Sequence, residues 1–158
     1  MTTSKETKQQ MKKWEGLKLF AYLDTGGVPT IGYGHTKGVS IGDAIIPQQA
    51  NKLFDDDIAI FEKEVNRVKR KLTQNQFDAL VSFCFNVGIS AFRRSTLRRY
   101  VEMGMSADYI VKEFGRWIHD NGKPIKGLIE RRKWEAERYT SPAKTPSQPP
   151  RGEEILSQ

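Results

Sequence analysis

The sequence predicts an α+β fold, with a small N-terminal β-hairpin lobe joined by one long helix to a larger helical lobe. Three observations carry this expectation. Residues 17–33 are short apolar and aromatic runs broken by turn residues, the pattern of two strands around a turn. From Pro47 onward the apolar residues recur instead at three- and four-residue spacing, as in helices with one buried face. The chain has no internal repeat, so strands and helices segregate along it rather than alternate.

The elements follow in order. Thr3-Ser4-Lys5-Glu6 fits a capping box with Thr3 as N-cap, which starts a first helix over residues 4–15. Gly16 supplies a left-handed stop. Residues 17–23 read as a strand, Thr25-Gly26-Gly27 as a turn and residues 29–33 as the returning strand, with a third short strand over 38–43. Pro47 then opens a helix in which Ala50, Leu53, Phe54, Ile58, Phe61, Val65 and Val68 share a face, ending near Lys71. Thr73 caps a helix that stops at Gly88. Further helices are expected over 95–103, 107–118 and 128–139, the last announced by the loop Asp120-Asn121-Gly122-Lys123-Pro124.

At 158 residues the chain has room for one folded domain, read as 1–140, with a β lobe over about 16–46 and a helical lobe over about 47–140 that includes the first helix. Residues 141–158 are proline-rich and poor in apolar side chains, the composition of a disordered tail, with a little structure expected at 153–156. No run approaches the roughly 18 apolar residues of a membrane span, and MTTSKETKQQ has no apolar core for a secretory signal, so no stable membrane insertion is expected. The single cysteine, Cys84, excludes an internal disulfide and sits in an apolar run as a buried thiol. A net charge of +7 implies a polyanionic partner, either nucleic acid or an anionic envelope surface. The clusters Arg67-Val68-Lys69-Arg70-Lys71 and Arg93-Arg94 with Arg98-Arg99 read as solvated helix faces able to hold such a surface.

The chemistry concentrates between Trp14 and Thr36, where five glycines, two acids, three threonines and a histidine share 23 positions. Glu15 ends a helix, where the negative end of the dipole disfavours a second negative charge, as a general acid requires. Asp24 precedes the Thr-Gly-Gly turn, where aspartate caps backbone N–H groups and stays ionised. Two carboxyls whose surroundings push their pKa values apart, one protonated and one ionised, are the arrangement that cleaves glycosidic bonds. Thr30, beyond the turn, faces back toward Asp24 and is placed to orient a water. His35 has no cysteine or second histidine close in sequence, which argues against a metal site.

Glu15, eight residues, Asp24, five residues and Thr30 is also a spacing that resembles the phage-type lysozymes, or endolysins, of glycoside hydrolase family 24. Glu15-Gly16, Tyr22, Asp24-Thr25, Gly27 and Thr30-Ile31-Gly32-Tyr33-Gly34-His35-Thr36 are similar to that family's first motif. Lys52-Leu53-Phe54 with Asp57, Gln76-Phe77-Asp78-Ala79-Leu80 with Phe83 and Phe85-Asn86-Val87-Gly88, Ser95-Thr96-Leu97, Trp117 and Gly127-Leu128-Ile129-Glu130-Arg131-Arg132 extend the match over about residues 10–140.

The resemblance implies a lysozyme-like fold and a muramidase that needs no cofactor. Its substrate would be peptidoglycan, cut at the β-1,4 bond between N-acetylmuramic acid and N-acetylglucosamine. Glu15, Asp24 and Thr30 would be catalytic, and Thr36, Phe85 and Thr96 substrate-binding. His35 paired with Asp57 would be supporting, as would an arginine, Arg131 or Arg132, near Glu15. Both arginines also stand at helical spacing from Glu135. The enzyme is expected to act as a monomer, without nucleic acid, in the periplasm or on the wall after release by a holin or delivery by a secretion system. The competing readings are a lytic transglycosylase, a basic helical nucleic-acid binder, and a lysozyme fold that binds peptidoglycan without cutting it.

Overall fold

The first helix, α1 (Lys5–Glu15), begins where a buried carboxylate holds the chain rather than where the local motif places it. Ser4 is the N-cap, and Asp78 accepts from the Ser4 amide and hydroxyl and from the Thr7 hydroxyl. Thr3, the expected cap, is buried and instead gives its amide and hydroxyl to Glu62. Tertiary carboxylates thus displace the expected capping box, and they also match the positive end of the helix. This computed structural model describes residues 1–142. The expected structure at 153–156 and nearly all of the proline-rich tail lie outside the described residues.

Strands β1 (Lys18–Leu23) and β2 (Pro29–Gly32) pair antiparallel, with Tyr22 opposite Thr30 and Leu23 opposite Pro29. The third strand expected at 38–43 is absent. That segment is a run of turns through Gly38 and Gly42, both at positive φ, and meets β1 at its end, where the Ala21 amide donates to the Asp43 carbonyl and Phe20 bridges Ala44. The hairpin docks on α2 (Pro47–Val65) through a close approach at Gly32, where an added Cβ would lie 3.6 Å from that of Ala50. Tyr33 packs edge-on against Phe54, and the Lys12 ammonium sits over both rings at 5.3 and 5.2 Å while donating to Asn51. α1, the hairpin and α2 therefore meet at one lysine.

α2 ends at Val65 rather than near Lys71. Val68 keeps the apolar period and is buried, but tight turns carry it there. α3 (Gln74–Val87), capped by Thr73, is the central helix, with every residue from Phe77 to Cys84 buried. Around it stand α4 (Ile89–Arg94), α5 (Thr96–Met103), α6 (Ala107–Phe114) and α7 (Lys126–Thr140). The six residues of α4 were not anticipated, because Gly88 both ends α3 and opens it. The loop before α7 is a small hairpin, β3 (His119–Asp120) with β4 (Lys123–Pro124). Phe54, Ile58, Phe77, Leu80, Phe83, Phe92, Leu97, Ile110 and Phe114 form one core.

The basic clusters are not simply solvated faces. Arg93 binds buried Glu64 through two bonds of 2.8 Å, and Arg98 and Arg67 approach it at 3.3 and 3.7 Å. The Arg93 hydrogen bonds lead in holding the Glu64 carboxyl below its ordinary range.

Candidate active site

Glu15 is the last residue of α1, half-buried, at the junction of the two lobes. Its Oε1 accepts from Arg131 of α7 at 3.1 Å. Its Oε2 points the other way, toward the end of the hairpin, where a Cβ on Gly34 would stand 3.3 Å from it. Gly34 has φ +82°, so a side chain there would be strained as well as crowded. Bare backbone is what lets the hairpin close over the acid. The two oxygens are thereby distinguished: one is anchored and the other is left to the cleft.

Asp24 and Thr30 are anchored to the same residue. The Asp24 Oδ1 accepts from the Gly26 and Val28 amides at 2.9 and 2.8 Å, closing the turn, while the Thr30 hydroxyl donates to the Val28 carbonyl at 2.8 Å. Asp24 Oδ2 takes no part in these bonds. The Thr30 proton is committed to Val28, so its oxygen presents lone pairs to any water in front of it. The register puts Thr30 opposite Tyr22, on the diagonal from Asp24.

His35 and Asp57 are together: Nδ1 stands 2.8 and 3.0 Å from the two carboxylate oxygens, and Nε2 is 2.8 Å from the Lys37 carbonyl. Both ring nitrogens face acceptors, so the ring ties the hairpin end to α2. Of the two arginines considered for Glu15, Arg131 meets it. Arg132 turns into the core, with Nη2 2.7 Å from Asn86 Oδ1, Nε 2.7 Å from Glu135 Oε1 and its guanidinium over Phe83. Its supporting role is therefore to fasten α7 onto α3.

The expected substrate-binding residues are spread out. Thr36 is exposed just past His35. Phe85 is half-buried and packs on Phe54 and Phe61, continuing an aromatic path from Tyr33. Thr96 lines a separate recess of about 570 Å³ with Arg94, Arg116 and Trp117, which neither Glu15 nor Asp24 lines. Among the described residues, no group of three or more His, Cys, Asp or Glu side chains is placed to hold a metal ion.

With this geometry in place, comparison with known proteins is decisive. The sequence profile of the phage lysozyme family matches residues 12–135. The chain belongs to the phage lysozyme family. It is 42% identical over 138 residues to the endolysin of Acyrthosiphon pisum secondary endosymbiont phage 1, covering 83% of this chain and 92% of that one. It is 44% identical over 135 residues to the endolysin of Bacillus phage PZA, of which it spans only 52% while 83% of this chain is covered. Among solved structures, the muramidase domain of SpmX from Asticaccaulis excentricus superposes with a TM-score of 0.83 at 36% identity, covering 89% of this chain and 99% of the other. Membership makes the domain a glycoside hydrolase of the lysozyme class, with the lysozyme-like fold expected from its motifs.

Sequence reasoning missed what two residues do beside Glu15. Gly34 was visible only as one glycine of a motif, and its role follows from its distance to Glu15. Trp14, beside Glu15, carries Arg131 over its ring at 5.3 Å. No spacing rule announces that contact, because its partner is more than a hundred residues away.

Proposed function

We propose that the domain is an N-acetylmuramidase that hydrolyses the β-1,4 bond between N-acetylmuramic acid and N-acetylglucosamine of peptidoglycan with inversion. The observation that supports this most is the division of labour between the carboxyls: Glu15 anchored through Oε1 with Oε2 free, and Asp24 fixed through Oδ1 with Oδ2 free. Glu15 gives its proton from Oε2 to the leaving oxygen. Arg131 donates to Oε1 throughout, and receives the negative charge as it appears there. Asp24 Oδ2 faces the positive charge developing on the sugar ring and takes a proton from a water that Thr30 Oγ1 also holds. The water needs no metal for this.

Glu15→Gln and Asp24→Asn are each expected to lower hydrolysis of purified walls by about 10²- to 10⁴-fold, with unchanged circular dichroism. A fully active Glu15→Gln would sink the assignment. Mass spectrometry of the products is expected to show reducing ends, whereas anhydro-muramic ends would make the enzyme a lytic transglycosylase. The anomer first released, read by NMR, reports inversion or retention.

The setting we propose is supported by the relatives, which are endolysins and SAR-endolysins. We place the action on the cell wall, as a monomer, reached by holin-dependent release or by delivery through a secretion system. Among the described residues no helix is long and apolar enough to cross a membrane.

A further inference from the structure

The helix α1 is reached from α7 by two arginines, Arg131 at Glu15 and Arg138 at Glu6. Arg131, Trp134 and Arg138 stand three and four residues apart and so share one face of α7. On α1, Glu6 and Trp14 are eight residues apart and also share a face. Between these two faces runs an unbroken series of contacts. Glu15 accepts from Arg131 at 3.1 Å, and the Arg131 guanidinium lies 5.3 Å from the centre of the Trp14 ring. Trp14 meets Trp134 edge to face, 5.3 Å between centres at 89°. The Arg138 guanidinium lies 4.9 Å over Trp134, and Arg138 reaches Glu6 in the first turn of α1 at 2.7 Å. A recess of about 380 Å³ lined by Glu6, Gln9, Gln10, Lys13, Trp134 and Arg138 lies beside the series. Two large aromatic rings and two cations therefore set the distance between the helix that carries the acid and the helix that carries its arginine.

Geometry on a ring face matters here because a guanidinium is planar. Held over the Trp14 ring, Arg131 has fewer directions in which its N–H groups can aim. From there its Nη1 donates to Glu15 Oε1, while Oε2 faces Gly34. Without the stack, Arg131 could still pair with Glu15, but through either oxygen.

We propose that Trp14 and Trp134 are positioning residues for the general acid: acting through Arg131, they fix which carboxyl oxygen of Glu15 faces the substrate. The idea rests on the muramidase reading for its kinetic arm only. On soluble peptidoglycan fragments, Trp134→Ala is expected to lower kcat about tenfold with KM unchanged, because orientation is lost and binding is not. Trp134→Phe keeps an aromatic edge for Trp14 and is expected to stay within about twofold of the native rate. Ile58→Val, a core change away from the series, controls for a general loss of stability and is expected to leave kcat unchanged.

A second readout is independent of activity. The Arg131 Nε–H correlation in a ¹H–¹⁵N spectrum is expected to be sharp in the native protein and in Trp134→Phe, and broadened in Trp134→Ala. A native kcat in Trp134→Ala, or a fall shared equally by Ile58→Val, overturns the proposal. If the native protein cuts no glycan, the muramidase reading fails, and the Arg131 signal alone decides: unchanged in Trp134→Ala, it overturns the positioning role too.

Discussion

Arg131 and Arg132 are neighbours on one helix and both bind a glutamate, yet they serve opposite ends. The Arg131 pair with Glu15 is left partly open, with side chains 16% and 22% exposed, whereas the Arg132 pair with Glu135 is sealed at 2% and 0%. One residue of helix turns the side chain by about 100°, from the groove beside α1 to the seam against α3. In the seam, burial pushes Arg132 down and Glu135 up, to about 7, with Arg132 and the Ser82 hydroxyl partly opposing the rise. In the proposed mechanism, the pair that exchanges a proton with the substrate has to stay within reach of the cleft. A pair that only fastens two helices can be closed off, at the cost of a high penalty for breaking it.

The contrast can be broken most forcefully on its sealed side. Arg132→Met leaves Glu135 buried without its cation and is expected to cost about 3–5 kcal/mol, read as a lower urea midpoint. Adding Glu135→Leu should recover most of that loss, since both charges are then gone. If the single and double variants are equally unstable, the seam depends on shape and not on charge. On the open side the signs reverse: Arg131→Met should lower the rate about 10- to 100-fold while moving stability by about 1 kcal/mol or less, as for other half-exposed pairs. A melting point that falls as far as for Arg132→Met would erase the distinction.

Two smaller effects sharpen it. Gly34→Ala adds a methyl against Glu15 Oε2 at a positive φ, and should cost about 1–2 kcal/mol together with part of the activity. Replacing Gly38, where the φ is also positive but nothing lies within 4 Å, should cost stability alone. The last test is pH. Glu135 ordinarily ionises near 4.5 and in the fold near 7, so between these values the folded state holds a proton that the unfolded state has lost. Its contribution to stability must therefore decline as pH rises through that window. Urea titrations at pH 4.5, 5.5 and 7 should give a shallower decline in Glu135→Gln than in the native protein. Equal slopes would mean that Glu135 ionises normally.

Much of this was legible in the sequence because it rests on short-range rules. Thr73 caps α3, Pro47 opens α2, and Asp24 tethers its own turn, each decided within four residues. Asp24 and Thr30 follow from one hairpin of fixed length, whose end at Gly34 reaches Glu15. What escaped was decided across the chain. Thr3 lost the cap because Asp78, more than seventy residues away, binds Ser4 and Thr7. The choice between Arg131 and Arg132 turned on which helix face meets α1, and a helix rich in basic residues on every side does not declare its faces. Arg93 and Arg98 resembled surface charge until Glu64 proved to be beneath them.

Cys84 has a consequence for where the domain can work. It is fully enclosed in the core, and burial pushes its thiol up to about 12, so it stays protonated at neutral pH. The described fold contains no covalent cross-link and presents no thiol that an oxidant or a neighbouring chain can reach. The described fold therefore has the same bonds in a reducing compartment as in an oxidising one.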